Sequence, residues 1–220
     1  MGLSRAIVAS ARGGIGEKST HDAFEASFTC HAEHRRGKSF GDGGKFCCGD
    51  DEYFKAYVGP NGEKCLVYSV GSNGEASFEA DIVSRLGCEV HTFDPTGNTA
   101  RYTDTVQSVG ASFHAIGVSG APGKMLNTAT NTSSELRPIK QIMESLGHQK
   151  RHIHILKIDC EGCEYSTFTD LWPQIKSGDV SIGQILIEVH GTHFSRLADF
   201  FEGADDAGYM IFHKERNHWG

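Results

Sequence analysis

The feature that most constrains the fold is an alternation of short apolar runs with stretches of helical periodicity from residue 65 onward. Apolar runs of strand length stand at residues 65–70, 89–93, 112–118, 153–158, 182–189 and 209–212. Helical spacing of apolar residues appears over 78–86, 136–146, 162–171 and 194–201, and a polar loop is expected over 119–133. This alternation predicts an α/β fold with a mostly parallel, doubly wound sheet covered by helices on both faces.

The same pattern divides the chain into three parts. Residues 1–29 are interpreted as an amino-terminal tail, a candidate for disorder. Residues 30–64 form an extension with an irregular segment over 30–49, which carries the run Gly-Asp-Gly-Gly-Lys-Phe-Cys-Cys at 41–48. That run is interpreted either as a structural clasp or as a cover over a cofactor. Residues 65–220 form the α/β domain, which is long enough to bury one sizeable core.

Charge and hydropathy exclude several kinds of partner. The formal net charge is -7 at pH 7, so nucleic acid is not an expected partner. The longest apolar runs, such as 182–189, are far shorter than the roughly 20 residues of a membrane helix, so no transmembrane segment is predicted.

The seven cysteines are an odd number, so at least one has no disulfide partner within the chain. No clear targeting signal is visible, which leaves the secretory pathway and the cytoplasm open.

Polar residues follow five of the predicted strands, always at the same end. They stand at 71–75, 94, 117–119, 159–161 and 188–190. Open parallel sheets bind their ligands at the carboxyl ends of the strands, near the point where the strand order reverses. The candidate site is therefore placed at this edge of the sheet.

The turn after the first strand and the acidic residue after the second form the most specific pair. Gly71 and Gly74 allow backbone amides to approach a ligand closely, since neither residue has a Cβ. Asp94 follows the next strand, where a carboxylate can accept hydrogen bonds from both hydroxyls of a ribose. This pair predicts an adenosine-containing cofactor.

The remaining turn residues distinguish between cofactors. The nicotinamide dinucleotide motif requires glycines where this chain has Asn73 and Ala76, and Glu75 would repel a pyrophosphate. S-adenosylmethionine contains no phosphate and carries a sulfonium cation, so it is the predicted cofactor. Its predicted binding residues in this part of the chain are Gly71, Ser72, Asn73, Gly74 and Asp94.

Several runs carry a resemblance to known methyltransferases. Leu-Val-Tyr-Ser-Val-Gly-Ser-Asn-Gly at 66–74, Phe-Asp-Pro at 93–95 and Leu-Lys-Ile-Asp-Cys-Glu-Gly-Cys-Glu at 156–164 resemble the FkbM-type methyltransferases. The segments at 41–47, 187–190 and 212–217 resemble the related eukaryotic family of methyltransferase-like protein 24. Together the similar segments span about residues 40–217.

This resemblance implies a class I, Rossmann-like fold that uses S-adenosylmethionine. It places the methionine end of the cofactor on the glycine turn, the ribose at Asp94, and the adenine beside Ile116 and Gly117. It also implies that Asp159 faces the methyl-transfer cleft and is a further cofactor-binding residue. Sheets of this class have seven strands and the pattern supplies six. The sheet is therefore expected to lack its final strand, with a truncated carboxyl end.

The predicted reaction is in-line methyl transfer to a hydroxyl group of a small molecule or a glycan. A hydroxyl acceptor benefits from a general base, and His190 is the first candidate, oriented by Glu188 or Asp159. These three residues form the predicted catalytic set, and no metal is predicted. The sequence does not specify the acceptor or the oligomeric state.

Two other functions stay open. Ser69 stands where many FkbM-type sequences have Asp, which fits a methyltransferase-like domain that binds without turnover. The second alternative is a metal-dependent hydrolase, whose ligands would come from the strand-end cluster His190, His193, Glu188, Asp159 and Cys163. A zinc site on Cys160 and Cys163 would need two further ligands from elsewhere in the chain.

Overall fold

The computed structural model describes residues 24–41, 43–190 and 194–215. Its strands are β1 Glu33–Arg36, β2 Lys45–Cys48, β3 Leu66–Val70, β4 Glu89–Phe93, β5 Ser112–His114, β6 Ile116–Val118, β7 Gly123–Asn127, β8 Thr132–Arg137, β9 Ile153–Ile158 and β10 Ile182–Ile187. Its helices are α1 Asp51–Lys55, α2 Ser77–Asp81, α3 Thr99–Ser108, α4 Ile139–Ser145, α5 Cys163–Ser177 and α6 Phe194–Asp206. Most of the predicted tail, and His193, lie outside the described residues.

The central sheet has five strands in the order β10–β9–β3–β4–β5, and every neighbouring pair is parallel. The predicted Rossmann-like α/β architecture is therefore confirmed. From β3 the chain moves outward to β4 and β5, and then returns to place β9 on the other side of β3. The strand order thus reverses between β3 and β9, which is where folds of this kind bind their ligands.

Successive side chains of each strand point to opposite faces of the sheet, and this divides the core into two layers, one on each face. Leu66 and Tyr68 of β3 belong to one buried cluster and Val67 to the other, as the two-residue period of a strand requires. The helical residues of the first layer include Ile142, Phe168 and Phe200, and those of the second include Phe78, Ile82 and Val106. Each fully buried side chain of this size contributes about 1.5–3 kcal/mol through removal of apolar surface from water.

The region after β4 differs from its prediction. The expected single strand at 112–118 is divided between β5, in the central sheet, and β6, in a separate three-stranded sheet of order β6–β8–β7. The prediction of a polar loop over 119–133 was wrong, because β7 and β8 pair there as an antiparallel hairpin. Asn127 stabilises the turn, since its Oδ1 accepts hydrogen bonds from the backbone N–H groups of Ala129 and Thr130. Most side chains of this hairpin face solvent, so its sequence carries little apolar signal.

The helices agree with the prediction in type but not in every boundary. The predicted helix over 78–86 is confirmed as α2 and a following π-helical turn, which ends at Gly87 with a φ of 70°. Helix α3 was not predicted, because it buries only Tyr102 and Val106. Helix α5 continues to Ser177, well beyond its predicted end at 171. Among the described residues, no helix is both long enough and apolar enough to span a membrane.

The prediction of a sixth strand at 209–212 was wrong, because this segment has no regular secondary structure. The backbone carbonyl of Ile211 accepts hydrogen bonds from the N–H groups of Ser27 and Phe28 instead of joining a ladder beside β10. The Tyr209 hydroxyl donates to the Ile182 carbonyl oxygen at 2.7 Å. Within the described part of the chain, no strand follows β10.

The extension forms a hairpin that packs on the central sheet. Its β1 and β2 pair antiparallel, so the prediction of an irregular segment over 30–49 was wrong. A disulfide joins Cys30 to Cys48, and the side chain of Gln184 on β10 bonds the backbone N–H and carbonyl of Cys48 at 2.9 and 2.8 Å. Cys47, in the same hairpin, is buried and has a free thiol.

Candidate active site

The glycine turn after β3 contacts the end of β9. Gly71 has a φ of 76°, and a Cβ at this position would overlap the backbone carbonyl oxygen of Asp159. The buried Lys157 donates a hydrogen bond from its Nζ to the Gly71 carbonyl oxygen. Only glycine therefore fits here, and the two strand ends that flank the reversal of strand order meet directly.

Asp94 stabilises this turn from the end of β4. Its carboxylate is 2% exposed, and Oδ2 accepts hydrogen bonds from the backbone N–H groups of Ser72 and Asn73 at 2.9 and 2.7 Å. The other oxygen, Oδ1, accepts from the backbone N–H and the hydroxyl of Thr96 at 2.8 and 2.6 Å. Asp94 thus holds the turn together, and the contact of its carboxylate with a ribose stays a prediction.

The predicted adenine-flanking residues lie on β6, next to the segment that follows Asp94. A Cβ on Gly117 would come within 3.0 Å of the Pro95 side chain and would overlap that of Leu136. Ile116 is half-buried against the core on the same strand. The structure therefore brings Gly117 next to the loop that carries Asp94, and the contact of Ile116 and Gly117 with an adenine stays a prediction.

The predicted catalytic residues come together at the ends of β9 and β10. The His190 Nε2 lies 3.7 Å from an oxygen of Asp159 and 3.8 Å from an oxygen of Glu188. Its Nδ1 forms a 2.9 Å hydrogen bond with Oε1 of Glu164. Glu164 is fully buried at the start of α5 and also accepts hydrogen bonds from the N–H groups of Cys160 and Gly162. Glu164 therefore fixes the orientation of the imidazole, although the prediction assigned this role to Glu188 or Asp159.

Lys45 of β2 places a cation in this cluster. Its Nζ lies 2.6 Å from Oε2 of Glu188 and 3.2 Å from Oδ2 of Asp159. Only 11% of its side chain is exposed. The Gly-Asp-Gly-Gly-Lys run of the extension thus contributes to the candidate site itself. Its lysine was overlooked because the surrounding glycines and cysteines indicated a structural clasp.

The charges in the cluster shift one another's ionisation. Burial opposes protonation of His190, but the carboxylates of Glu164, Glu161 and Asp159 together outweigh burial and raise its pKa above the ordinary value. Burial raises the pKa of Asp159, and the Lys45 ammonium opposes part of that shift. A larger fraction of His190 is therefore protonated at neutral pH than of a free imidazole.

The geometry of the same cluster both supports and opposes the alternative of a metal-dependent hydrolase. One donor atom each from Asp159, Glu188 and His190 lie within 4.8 Å of one another, close enough for a shared ion. The Lys45 ammonium, however, already bridges the two carboxylates. A zinc site on Cys160 and Cys163 is ruled out, because a disulfide joins these two residues and leaves no thiolate. His193 lies outside the described residues.

A buried carboxyl group lies below the glycine turn, where the resemblance leads one to expect an acid on β3. Ser69 is fully buried, and its hydroxyl donates a 2.5 Å hydrogen bond to Oε1 of Glu79 on α2. Burial raises the pKa of Glu79, and the nearby Lys157 ammonium opposes this shift. Glu79 therefore brings a carboxyl group next to the position at which Ser69 replaces Asp. The sequence offered no signal for this contact, because it joins a strand to a helix ten residues later.

Comparison with known proteins identifies the family to which the chain belongs. A family model described as a methyltransferase domain matches residues 16–220. The human protein "Probable methyltransferase-like protein 24" is 30% identical over 146 residues, which are 65% of this chain and 37% of that protein. The rat protein of the same name gives the same identity and coverage. The chain thus spans 37% of the length of these relatives. No solved structure matches the chain. Because the family model covers well over half of its residues, the chain belongs to this methyltransferase-domain family.

Proposed function

We propose that this chain transfers a methyl group from S-adenosylmethionine to a hydroxyl of a small-molecule or glycan acceptor. The observation that carries the proposal is the direct contact between the Gly71 turn and the Asp159 strand end. This contact places a predicted cofactor turn beside a cluster of titratable groups. A methyl donor on the turn would therefore lie close to the residues that can accept a proton.

The charge of the site fits this cofactor. Four carboxylates surround the end of β9, those of Asp159, Glu161, Glu164 and Glu188, whereas the cations near them are Lys45, Lys157 and a protonated His190. The formal excess of negative charge favours a cationic ligand over a phosphate. Gly71 has no side chain, so its backbone is left uncovered on the side where a ligand would approach. Both properties suit a sulfonium compound with an adenosine end.

In this mechanism the bound cofactor supplies an activated methyl group, and the protein aligns the acceptor and removes its proton. His190 accepts the hydroxyl proton at Nε2, while Glu164 holds the ring through Nδ1 and stabilises the imidazolium. The Lys45 ammonium bridges Asp159 and Glu188 and holds both side chains beside the ring. General-base assistance of this kind contributes about 10²–10⁴-fold to the rate.

The alternative of a domain that binds without turnover rests on Ser69. The contact between Ser69 and Glu79 weakens this alternative, because it restores a carboxyl group beside the altered strand position. Binding without any methyl transfer would nevertheless be the result that favours it.

We also infer that the chain folds in an oxidising compartment, which supports the secretory pathway over the cytoplasm. Three disulfides link Cys30 to Cys48, Cys65 to Cys88 and Cys160 to Cys163. Structural disulfides of this kind persist in secreted proteins and are rare in the cytosol.

The experiment that tests the function combines binding with turnover. Isothermal titration with S-adenosylmethionine and S-adenosylhomocysteine measures binding, and transfer of a labelled methyl group to a panel of hydroxyl acceptors measures turnover. We expect His190→Gln to retain binding and to lose at least 100-fold in turnover. His152→Gln is the matched control, because His152 lies near the start of β9, away from the strand-end cluster, and bonds Ser181. Failure of either ligand to bind would overturn the proposal.

A further inference from the structure

A second cluster of donor atoms lies on β4, away from the candidate active site. Glu89 is the first residue of β4, and His91 lies two residues further along the same strand. His148 reaches them from the segment between α4 and β9. Asp94, by contrast, follows the opposite end of β4. The Glu89–His91–His148 cluster is therefore separate from the strand ends that the proposed reaction uses.

The donor atoms of this cluster have the spacing of a metal site. Oε1 of Glu89 lies 2.8 Å from Nε2 of His91 and 3.5 Å from Nε2 of His148. One donor atom from each residue falls within 4.8 Å of the other two. Tetrahedral zinc, with bonds of about 2.0–2.1 Å, separates neighbouring ligand atoms by about 3.3 Å. The two separations from Oε1 of Glu89, 2.8 and 3.5 Å, both lie within about half an ångström of this value.

Each of the three residues also has a polar partner on its other side-chain nitrogen or oxygen, the one that faces away from the cluster. Nδ1 of His91 contacts Nε2 of His114 at 2.9 Å, and Nδ1 of His148 contacts the hydroxyl of the buried Tyr68 at 2.9 Å. Oε2 of Glu89 accepts a 2.6 Å hydrogen bond from Arg151. Histidines that bind metals are oriented by such a partner on the second ring nitrogen, and the ligating carboxylates are likewise hydrogen-bonded. The surrounding residues thus point both Nε2 atoms and Oε1 towards one place.

The local charge distinguishes this cluster from the one at Asp159. There, the Lys45 ammonium lies between the carboxylates. Here, Arg151 binds the outer oxygen of Glu89 and leaves Oε1 facing the two imidazoles. Both imidazoles are buried, whereas the side chain of Glu89 is 38% exposed, so the cluster reaches solvent on the side of Glu89.

We propose that Glu89, His91 and His148 bind a divalent transition-metal ion such as Zn²⁺, through Oε1 and the two Nε2 atoms. Two nitrogens and one carboxylate oxygen form a donor set that zinc accepts. The ion would tie β4 to the segment that precedes β9. The competing explanation is a metal-free hydrogen-bond network among the same side chains.

The test uses the full chain with its disulfides intact, after removal of metal with a chelator. Equilibrium dialysis against Zn²⁺ measures stoichiometry, and Co²⁺ serves as a spectroscopic probe. We expect one ion per chain and the visible absorption bands of tetrahedral Co²⁺. His148→Gln and Glu89→Gln should each weaken binding at least 10-fold, in line with the loss of a ligand. His152→Gln, the matched histidine control, should bind as the unaltered chain does.

Two results would overturn the proposal. One is failure of the unaltered chain to retain either ion. The other is loss of the cobalt bands in Glu188→Gln but not in His148→Gln, which would assign the ion to the strand-end cluster. Circular dichroism identifies a variant that fails to fold, and in that case the remaining variant of the pair decides the outcome. No measurement here depends on methyl transfer, so failure of the proposed function leaves the metal site open to test.

Discussion

The Nζ atom of Lys45 lies 2.6 Å from Oε2 of Glu188, so a side chain of the amino-terminal hairpin neutralises an acid at the carboxyl edge of the central sheet. The same ammonium lies 3.2 Å from Asp159. Asp159, Glu188 and His190 are thus held in one electrostatic unit with a residue more than a hundred positions away in the chain.

Lys45→Met should lower turnover at least 10-fold and reduce the free energy of unfolding by about 1–3 kcal/mol. The substitution keeps the aliphatic length but leaves the Glu188 and Asp159 carboxylates without their cation, and unpaired buried acceptors carry a penalty of this size. Urea unfolding and methyl-transfer rates measure the two effects. Lys55→Met is the control, because the pair of Lys55 with Glu52 is exposed and should contribute almost nothing. Equal losses in both variants would contradict the role given to Lys45.

Gly71→Ala should destabilise the fold by more than about 3 kcal/mol and abolish cofactor binding. Its φ of 76° strains any other residue, and the added Cβ would overlap the Asp159 carbonyl oxygen. Gly87→Ala is a matched control, because Gly87 has a φ of 70° and nothing lies within 4 Å of its added Cβ. That variant should lose only about 1 kcal/mol from backbone strain. Chemical denaturation compares the two, and similar values for both would show that the contact between strand ends is unimportant.

The pH dependence of turnover should follow deprotonation of His190. Since its pKa is raised in the fold, the rate should increase with pH through an apparent pKa above the ordinary value of about 6.5. A pH–rate profile of the unaltered chain measures this value. A rate that is independent of pH across this range would argue against His190 as the base.

The same shift has a consequence for stability. A raised pKa in the fold means that ionisation of His190 contributes its full stabilisation below the unfolded pKa of about 6.5, and that this contribution disappears as pH rises through the folded pKa. The difference in unfolding free energy between the unaltered chain and His190→Gln should therefore be largest in mild acid and decrease towards alkaline pH. Urea titrations at several pH values measure this difference, and an increase with pH would refute the assignment.

Ser69→Asp should destabilise the chain, and Glu79→Gln should rescue it. The Ser69 hydroxyl lies 2.5 Å from Oε1 of Glu79, so an added carboxylate would place two acids in contact in a buried site. Replacing the Glu79 carboxyl with an amide leaves one acid in the buried site instead of two. A double-mutant cycle should give a favourable coupling of about 0.5–3 kcal/mol. Strictly additive effects would mean that Glu79 does not replace the missing strand acid.

Asn131 should carry a glycan if the chain is made in the secretory pathway. It begins the run Asn-Thr-Ser and lies exposed in the turn between β7 and β8. Expression in secretory cells followed by glycosidase treatment should shift the electrophoretic mobility. Asn131→Gln and Ser133→Ala should both remove the shift. An unaltered mobility in the secreted protein would leave the disulfides as the sole support for this compartment.

The central sheet was predictable because its inner strands are buried on both faces and therefore consist of nearly continuous apolar runs, as at 153–158. The glycine turn and the acids at the strand ends were predictable for a related reason, since parallel topology brings one end of each strand to a common edge. The β7–β8 hairpin was missed because exposed strands lack that apolar signal. The segment at 209–212 has the composition of a strand, but its backbone bonds the segment at 27–28 instead.

Contacts between distant segments account for what the sequence could not show at the site. Glu164 was part of a recognised run, yet nothing in its spacing indicated that it would orient His190. Lys45 and Glu79 reach the site from other elements, and only the packing of the hairpin and of α2 brings them there. Residue patterns predict which groups lie on the sheet, whereas tertiary packing determines which groups surround them.

The docking of the amino-terminal hairpin has a consequence for how this domain is delimited. The Cys30–Cys48 bridge and the Gln184 side chain anchor the hairpin on the sheet, and the hairpin carries Lys45. A protein trimmed to begin at β3 would keep all five strands and the glycine turn but would lose a positive charge from its candidate site. It would also lose Cys47 and Phe54, which are buried in one layer of the core, so the boundary of this domain lies upstream of the central sheet.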